Sequence, residues 1–159
     1  MTVIRVAIAE GAIARIPDRV RTTGLGSCVG VVVYDVRRGL SGLVHVRLPS
    51  APARGTDRPT KYADLGVNWL IKELCNAGAS QSQLRAKIAG GAQMFSNQLS
   101  SDVFRVGPRN VEAVKEVLGN QRIPIIAEDT GGHIGRTIEF EAETETLWVR
   151  TAFQGLYSI

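Results

Sequence analysis

Cys28 lies in a glycine-rich stretch, Thr22-Thr23-Gly24-Leu25-Gly26-Ser27-Cys28-Val29-Gly30, and His45 follows in Gly42-Leu43-Val44-His45-Val46-Arg47-Leu48-Pro49. A thiol becomes a good nucleophile at neutral pH when a base takes its proton, and imidazole is the usual base. Glycines ahead of the cysteine let the backbone turn sharply and can leave N–H groups aimed at a reacting oxygen. Nucleophile, base and oxyanion donors therefore fall within one short supersecondary unit. The plain alternative is that a free cysteine packs as a small hydrophobe and that a histidine in a valine-rich strand is a core residue.

The elements around the pair decide whether the two can meet. Val29 to Asp35 and Leu40 to Leu48 are rich in valine and leucine and read as strands, joined by the turn Val36-Arg37-Arg38-Gly39. Side chains alternate across a strand, so register is decisive. Pairing Asp35 with Leu40 puts Gly30 across from His45 and Cys28 across from Arg47. Cys28 and His45 then become diagonal neighbours on one face, and Gly30 leaves room for the imidazole. A slip of one residue would separate them onto opposite faces, whereas a Cys28 placed in the turn just before the strand would relax that constraint.

Further strands are predicted over 3–9, 84–89, 124–128, 137–141 and 146–151. A helix is predicted over 60–77, where Val67, Leu70, Ile71 and Leu74 make one apolar stripe and Gly78 follows as a stop. A second helix spans 111–118, with Asn110 as its N-cap. The region 11–21 reads as a mixed connection, Pro49 to Pro59 as a polar loop bordering the histidine strand, and 92–107 stays unassigned. Hairpins outnumber strand–helix alternations, which indicates α+β with mixed or antiparallel sheets. A length of 159 residues fits a single domain, 1–159.

Composition narrows the function classes. Lys and Arg outnumber Asp and Glu by 19 to 15, but the basic residues are scattered and aromatics are only 6%, so no stacking platform for nucleic acid is present. No apolar run reaches the ~20 residues of a membrane span, and the N-terminus lacks the pattern of a signal peptide. Cys28 and Cys75 are then expected as reduced thiols in the cytoplasm. Cys75 reads as packing beside Leu74. Glu128, Asp129 and His133 match no common metal spacing. Gly90-Gly91 and Gly131-Gly132 lack the residues of a phosphate loop and read as tight turns or close backbone approaches. Glu139, Glu141, Glu143 and Glu145 read as a solvated face.

Several segments in order carry a resemblance: Thr22 to Gly30, His45 to Pro49, Lys61-Tyr62-Ala63-Asp64, Lys87 to Ala92 with Met94-Phe95, Arg109-Asn110-Val111, Ala127 to Gly132, and Arg136. Together they make the chain similar to the chemoreceptor glutamine deamidases, the CheD family. The resemblance implies a catalytic set of Cys28, His45 and Thr22. The threonine is the one six residues before the cysteine, and Thr23 stands where the family often has leucine. It implies hydrolysis of receptor glutamine side chains to glutamate through a cysteine thioester, with no metal or cofactor, and the same chemistry would cleave a glutamate methyl ester. It implies chemoreceptor cytoplasmic helices as substrate, a CheC-type phosphatase as partner, and a toxin-deamidase-like layered fold: a β-sandwich-like core with helices packed outside. The competing function is a non-catalytic binding module for receptors and the phosphatase.

Overall fold

The structure is a computed structural model that describes residues 1–94 and 105–159. Phe95 of the resemblance, and most of the stretch that the sequence leaves unassigned, lie outside the described residues. The order is β1 (Val3–Arg5), β2 (Gly11–Arg15), β3 (Arg19–Leu25), β4 (Val29–Asp35), β5 (Leu40–Val46), α1 (Ala63–Asn76), β6 (Arg85–Gly90), α2 (Val106–Asn120), β7 (Ile125–Thr130), β8 (Arg136–Glu141), β9 (Thr146–Thr151) and β10 (Gly155–Ser158). Two mixed sheets form, ordered β1-β3-β8-β9-β10 and β2-β5-β4-β6-β7. Each has one parallel pair, β1 with β3 and β6 with β7. The α+β class and the sandwich with outer helices are as expected from sequence.

Burial explains why β4 is so apolar. Every residue of β4 and β5 is buried, because the strands are central and covered on both faces. One face packs on the helices: Val29, Val31 and Val33 join Val67, Leu70, Leu74, Val114 and Leu118. The other faces the opposite sheet: Cys28, Val32, Tyr34 and Leu43 join Val20, Leu25, Ile138, Phe140 and Val149. The expected register holds, with Asp35 opposite Leu40 and Gly30 opposite His45. The reason for Gly30 differs, however. A Cβ there would lie 2.6 Å from Ile138 Cδ1 and 3.2 Å from Leu25 Cδ1, so the space belongs to the facing sheet and not to the imidazole.

Helix α1 buries the predicted stripe of Val67, Leu70, Ile71 and Leu74. It begins at Ala63, after a 3-10 turn over Pro59–Lys61. Helix α2 departs from expectation: it starts at Val106, and Asn110 lies inside it, fully buried. Pro108 is tolerated because first-turn N–H groups have no intrahelical partner. Three strands, β2, β3 and β10, are not among those expected: β2 and β10 are short, and β3 carries arginines, threonines and a glycine; the strand expected over 3–9 ends at Arg5. Glu139 and Glu141 do not simply face water; they pair with Arg19, and Glu139 also with Arg21, across the β3–β8 ladder.

Two glycines of α2 give opposite expectations for the same substitution. A Cβ on Gly107 would sit 2.2 Å from the Ala92 carbonyl oxygen and 2.6 Å from that of Gly91, whereas one on Gly119 meets nothing within 4 Å. Gly119→Ala should stabilise by up to about 1 kcal/mol through helix propensity. Gly107→Ala should destabilise by about 1–3 kcal/mol because backbone atoms must shift. Urea unfolding of both variants reads the signs.

Candidate functional site

Cys28 sits in the link between β3 and β4, which lie in different sheets, so the chain must turn tightly there. The ladder between β3 and β8 shifts register between Thr22 and Leu25, and Gly24 adopts φ +72°, which L side chains disfavour. Three successive carbonyls of the turn are then held from outside. The Ala92 N–H donates to Gly26 O at 2.8 Å, the Asn110 Nδ2 to Ser27 O at 3.0 Å, and the Gly91 N–H to Cys28 O at 2.8 Å. A Cβ on Gly90 would lie 2.3 Å from the Cys28 carbonyl oxygen, so only glycine permits this approach. The Gly90 carbonyl is braced in turn by the Gly131 N–H and by Arg136, which also bonds Asp129. Gly90-Gly91 and Gly131 thus make close backbone approaches beside the cysteine.

His45 is on β5, directly across from Gly30, and is 1% exposed. Cys28 lies in the bend just before β4, not in the ladder, and its side chain joins the apolar cluster between the sheets. Thr22 reaches the ring from β3. Strand alternation buries Thr22 and exposes Thr23, so only Thr22 faces the imidazole. The Thr22 Oγ1 lies 2.7 Å from His45 Nδ1 and 2.6 Å from the Val6 carbonyl oxygen.

Those two distances fix the state of the ring. The hydroxyl has one proton, and the Val6 carbonyl can only accept, so the Thr22 hydroxyl donates to Val6 and accepts from Nδ1–H. His45 is then the Nδ1–H tautomer with a bare Nε2. That nitrogen is buried and has no hydrogen-bond partner among the described residues. Burial pulls the imidazole pKa down to about 4, which keeps it neutral at physiological pH. Burial also pushes the Cys28 thiol up, opposed by the nearby Arg47 guanidinium and by the residue's own backbone N–H. At rest the thiol and the imidazole are therefore both neutral.

Thr22 and His45 meet between the sheets, and Cys28 belongs to the apolar cluster packed there. Cys75 lies against the helix-side core, half-buried, with its Sγ 3.7 Å from Gln81 Oε1. His133 is exposed, with Nδ1 2.9 Å from the Gln93 carbonyl oxygen. Among the described residues no group of His, Cys, Asp or Glu could hold a metal. Sequence reasoning took Asn110 for a helix cap and missed it as a neighbour of the thiol turn; its lone polarity on an apolar helix face and its place in a segment that carries the resemblance were the available signals.

The fold and site define a class: a layered α+β protein with a turn-borne thiol and an oriented imidazole between two sheets. The chain belongs to the CheD family. Residues 47–151 match the family model described as CheD chemotactic sensory transduction, a span that begins just after Thr22, Cys28 and His45. Relatives cover those positions too. The chemoreceptor glutamine deamidase CheD of Bacillus licheniformis is 48% identical over 99% of this chain and 95% of its own length. That of Bacillus subtilis is 50% identical over 96% of this chain and 93% of its own. Among solved structures, the Bacillus licheniformis hypothetical protein YfiH is similar with a TM-score of 0.51 at 16% identity, over 77% of this chain. The chain spans about half (51%) of that protein, and the likeness concerns the fold alone.

Two pH responses follow from the burial of the pair. Because the folded His45 pKa is about 4 and the ordinary value is 6.5, the unfolded chain binds more protons between these pH values. Stability should therefore fall as pH drops from 6.5 to 4, by up to about 3 kcal/mol from this group. Melting curves of wild type and His45→Asn across that window should diverge in this sense. Iodoacetamide labelling of Cys28 should show a midpoint above the ordinary thiol range, and Arg47→Gln should move it higher still.

Proposed function

We propose that this protein hydrolyses the side-chain amide of chemoreceptor glutamines to glutamate, with Cys28 as nucleophile, His45 as general acid and base, and Thr22 as the group that orients His45. The observation that carries the site assignment is the Thr22 hydroxyl caught between the Val6 carbonyl and His45 Nδ1, which leaves Nε2 free to accept a proton. The substrate follows from family membership and from relatives named as chemoreceptor glutamine deamidases.

Each step balances. His45 Nε2 takes the thiol proton as Cys28 Sγ attacks the amide carbon. The oxyanion is met by the Cys28 N–H, whose peptide is held by its carbonyl. His45 returns the proton to the leaving nitrogen, ammonia departs, and a thioester remains. Water, deprotonated by Nε2, attacks the thioester; the carbon–sulfur bond breaks and the proton passes to sulfur. Glutamate and the free thiol result. A threonine in place of a carboxylate orients the ring without a buried negative charge, consistent with the low imidazole pKa. The thiol lies at the base of a closed layer, 6% exposed, so the glutamine side chain must reach in from an exposed helix.

This reading places the protein in the cytoplasm, in keeping with two free cysteines, and among the described residues no helix is long and apolar enough to cross a membrane. A CheC-type phosphatase is the partner that family membership suggests.

The test is mass-spectrometric detection of glutamine-to-glutamate conversion, with ammonia release, on a chemoreceptor cytoplasmic fragment. Wild type should convert it and Cys28→Ala should not. Thr22→Val, which keeps the shape but removes the hydroxyl, should lose about 10–100-fold in kcat. Receptor binding without conversion by wild type would instead support a binding module.

A further inference from the structure

Of the three carbonyls held in the Cys28 turn, only that of Ser27 is held by a side chain, and that side chain comes from the outer helical layer. Asn110 on α2 has no exposed surface. Its Nδ2 donates to Ser27 O at 3.0 Å and to Arg47 O at 2.9 Å, the residue just past the end of the His45 strand. Both neighbours are acceptors, which settles which end of the amide is nitrogen. The Oδ1 at the other end is buried without a hydrogen-bond partner among the described residues.

An unsatisfied buried acceptor is costly, and it is carried by an amide whose Nδ2 serves two backbone carbonyls that a leucine would leave without that donor. Besides satisfying them, the amide fixes their position. A trans peptide is planar, with its C=O and N–H pointing in opposite directions. Holding the Ser27 carbonyl toward α2 turns the Cys28 N–H away from α2. That N–H faces the cysteine's own sulfur, where it favours the thiolate. Gly107 strengthens the link, since it seats the first turn of α2 against the carbonyls of Gly91 and Ala92.

We infer that Asn110 is a positioning residue for the reaction: it fixes the Ser27–Cys28 peptide so that the Cys28 N–H is aimed at the oxyanion, and it ties that peptide to the end of the histidine strand. The inference rests on the reading of Cys28 as nucleophile. Removing the donor frees the peptide to rotate and takes the N–H out of the site. Asn110 has no exposed surface through which it could touch substrate.

The test compares wild type, Cys28→Ala, Asn110→Leu and Asn110→Asp on a receptor cytoplasmic fragment, with kcat, KM, melting temperature and the pH profile of Cys28 alkylation. Both Asn110 variants should lose about 10–100-fold in kcat with KM unchanged. Asn110→Leu should melt lower than wild type, because two carbonyls lose their donor, yet be folded at the assay temperature, and its alkylation midpoint should move to higher pH. A folded Asn110 variant with wild-type kcat and alkylation profile overturns the inference, as does a loss of kcat that merely tracks the unfolded fraction. If Asn110→Leu does not fold, Asn110→Asp is judged by the same two criteria. Loss of activity in Cys28→Ala with wild-type Asn110 variants sinks this inference alone. Activity retained by Cys28→Ala sinks the nucleophile assignment and this inference with it.

Discussion

A hydroxyl has one proton to give, and the site depends on where Thr22 sends it. The Val6 carbonyl beside Thr22 Oγ1 can only accept, so the ring nitrogen on the other side must donate. That single count sets the imidazole tautomer and leaves Nε2 bare. It also explains why the sheets must be packed as they are. Thr22 belongs to β3 and His45 to β5, which lie in different sheets, and Val6 follows β1. Relative displacement of the sheets would break the hydrogen bond and release the ring from its orientation.

The thiol is positioned by a different device. Its turn has little side-chain mass of its own, so the order comes from outside, through backbone donors of Gly91 and Ala92 and through Asn110. Those donors are braced in turn by the Arg136–Asp129 pair on one side and by the seat of α2 on the other. The helical layer, which also covers the valine-rich sheet, thereby reaches the thiol turn. Burial of both reacting groups keeps them neutral at rest, so the proposed reaction begins with a proton transfer and not from a standing ion pair.

Much of this was legible in the sequence where local rules act alone. The β4–β5 register follows from a short turn and two apolar strands, and Gly30 stands opposite His45 as expected, with Cys28 in the bend just before the ladder. The stripe of α1 was equally readable. What sequence could not give came from contacts between distant segments. Gly30 looked like space for the ring, yet Ile138 and Leu25 of the other sheet claim that space. Asn110, ahead of an apolar run, had every local mark of a cap; the carbonyls it bonds are far away in the chain. Thr22 and Thr23 are indistinguishable by type, and only the inward phase of β3 separates them.

The most direct measurement is nitrogen NMR of the protein labelled with 15N-histidine, assigned to His45 by comparison with His45→Asn. At neutral pH Nδ1 should carry a proton and Nε2 none, with that pattern lost in Thr22→Val. A proton on Nε2 with Nδ1 bare, or an imidazolium at neutral pH, would contradict this tautomer.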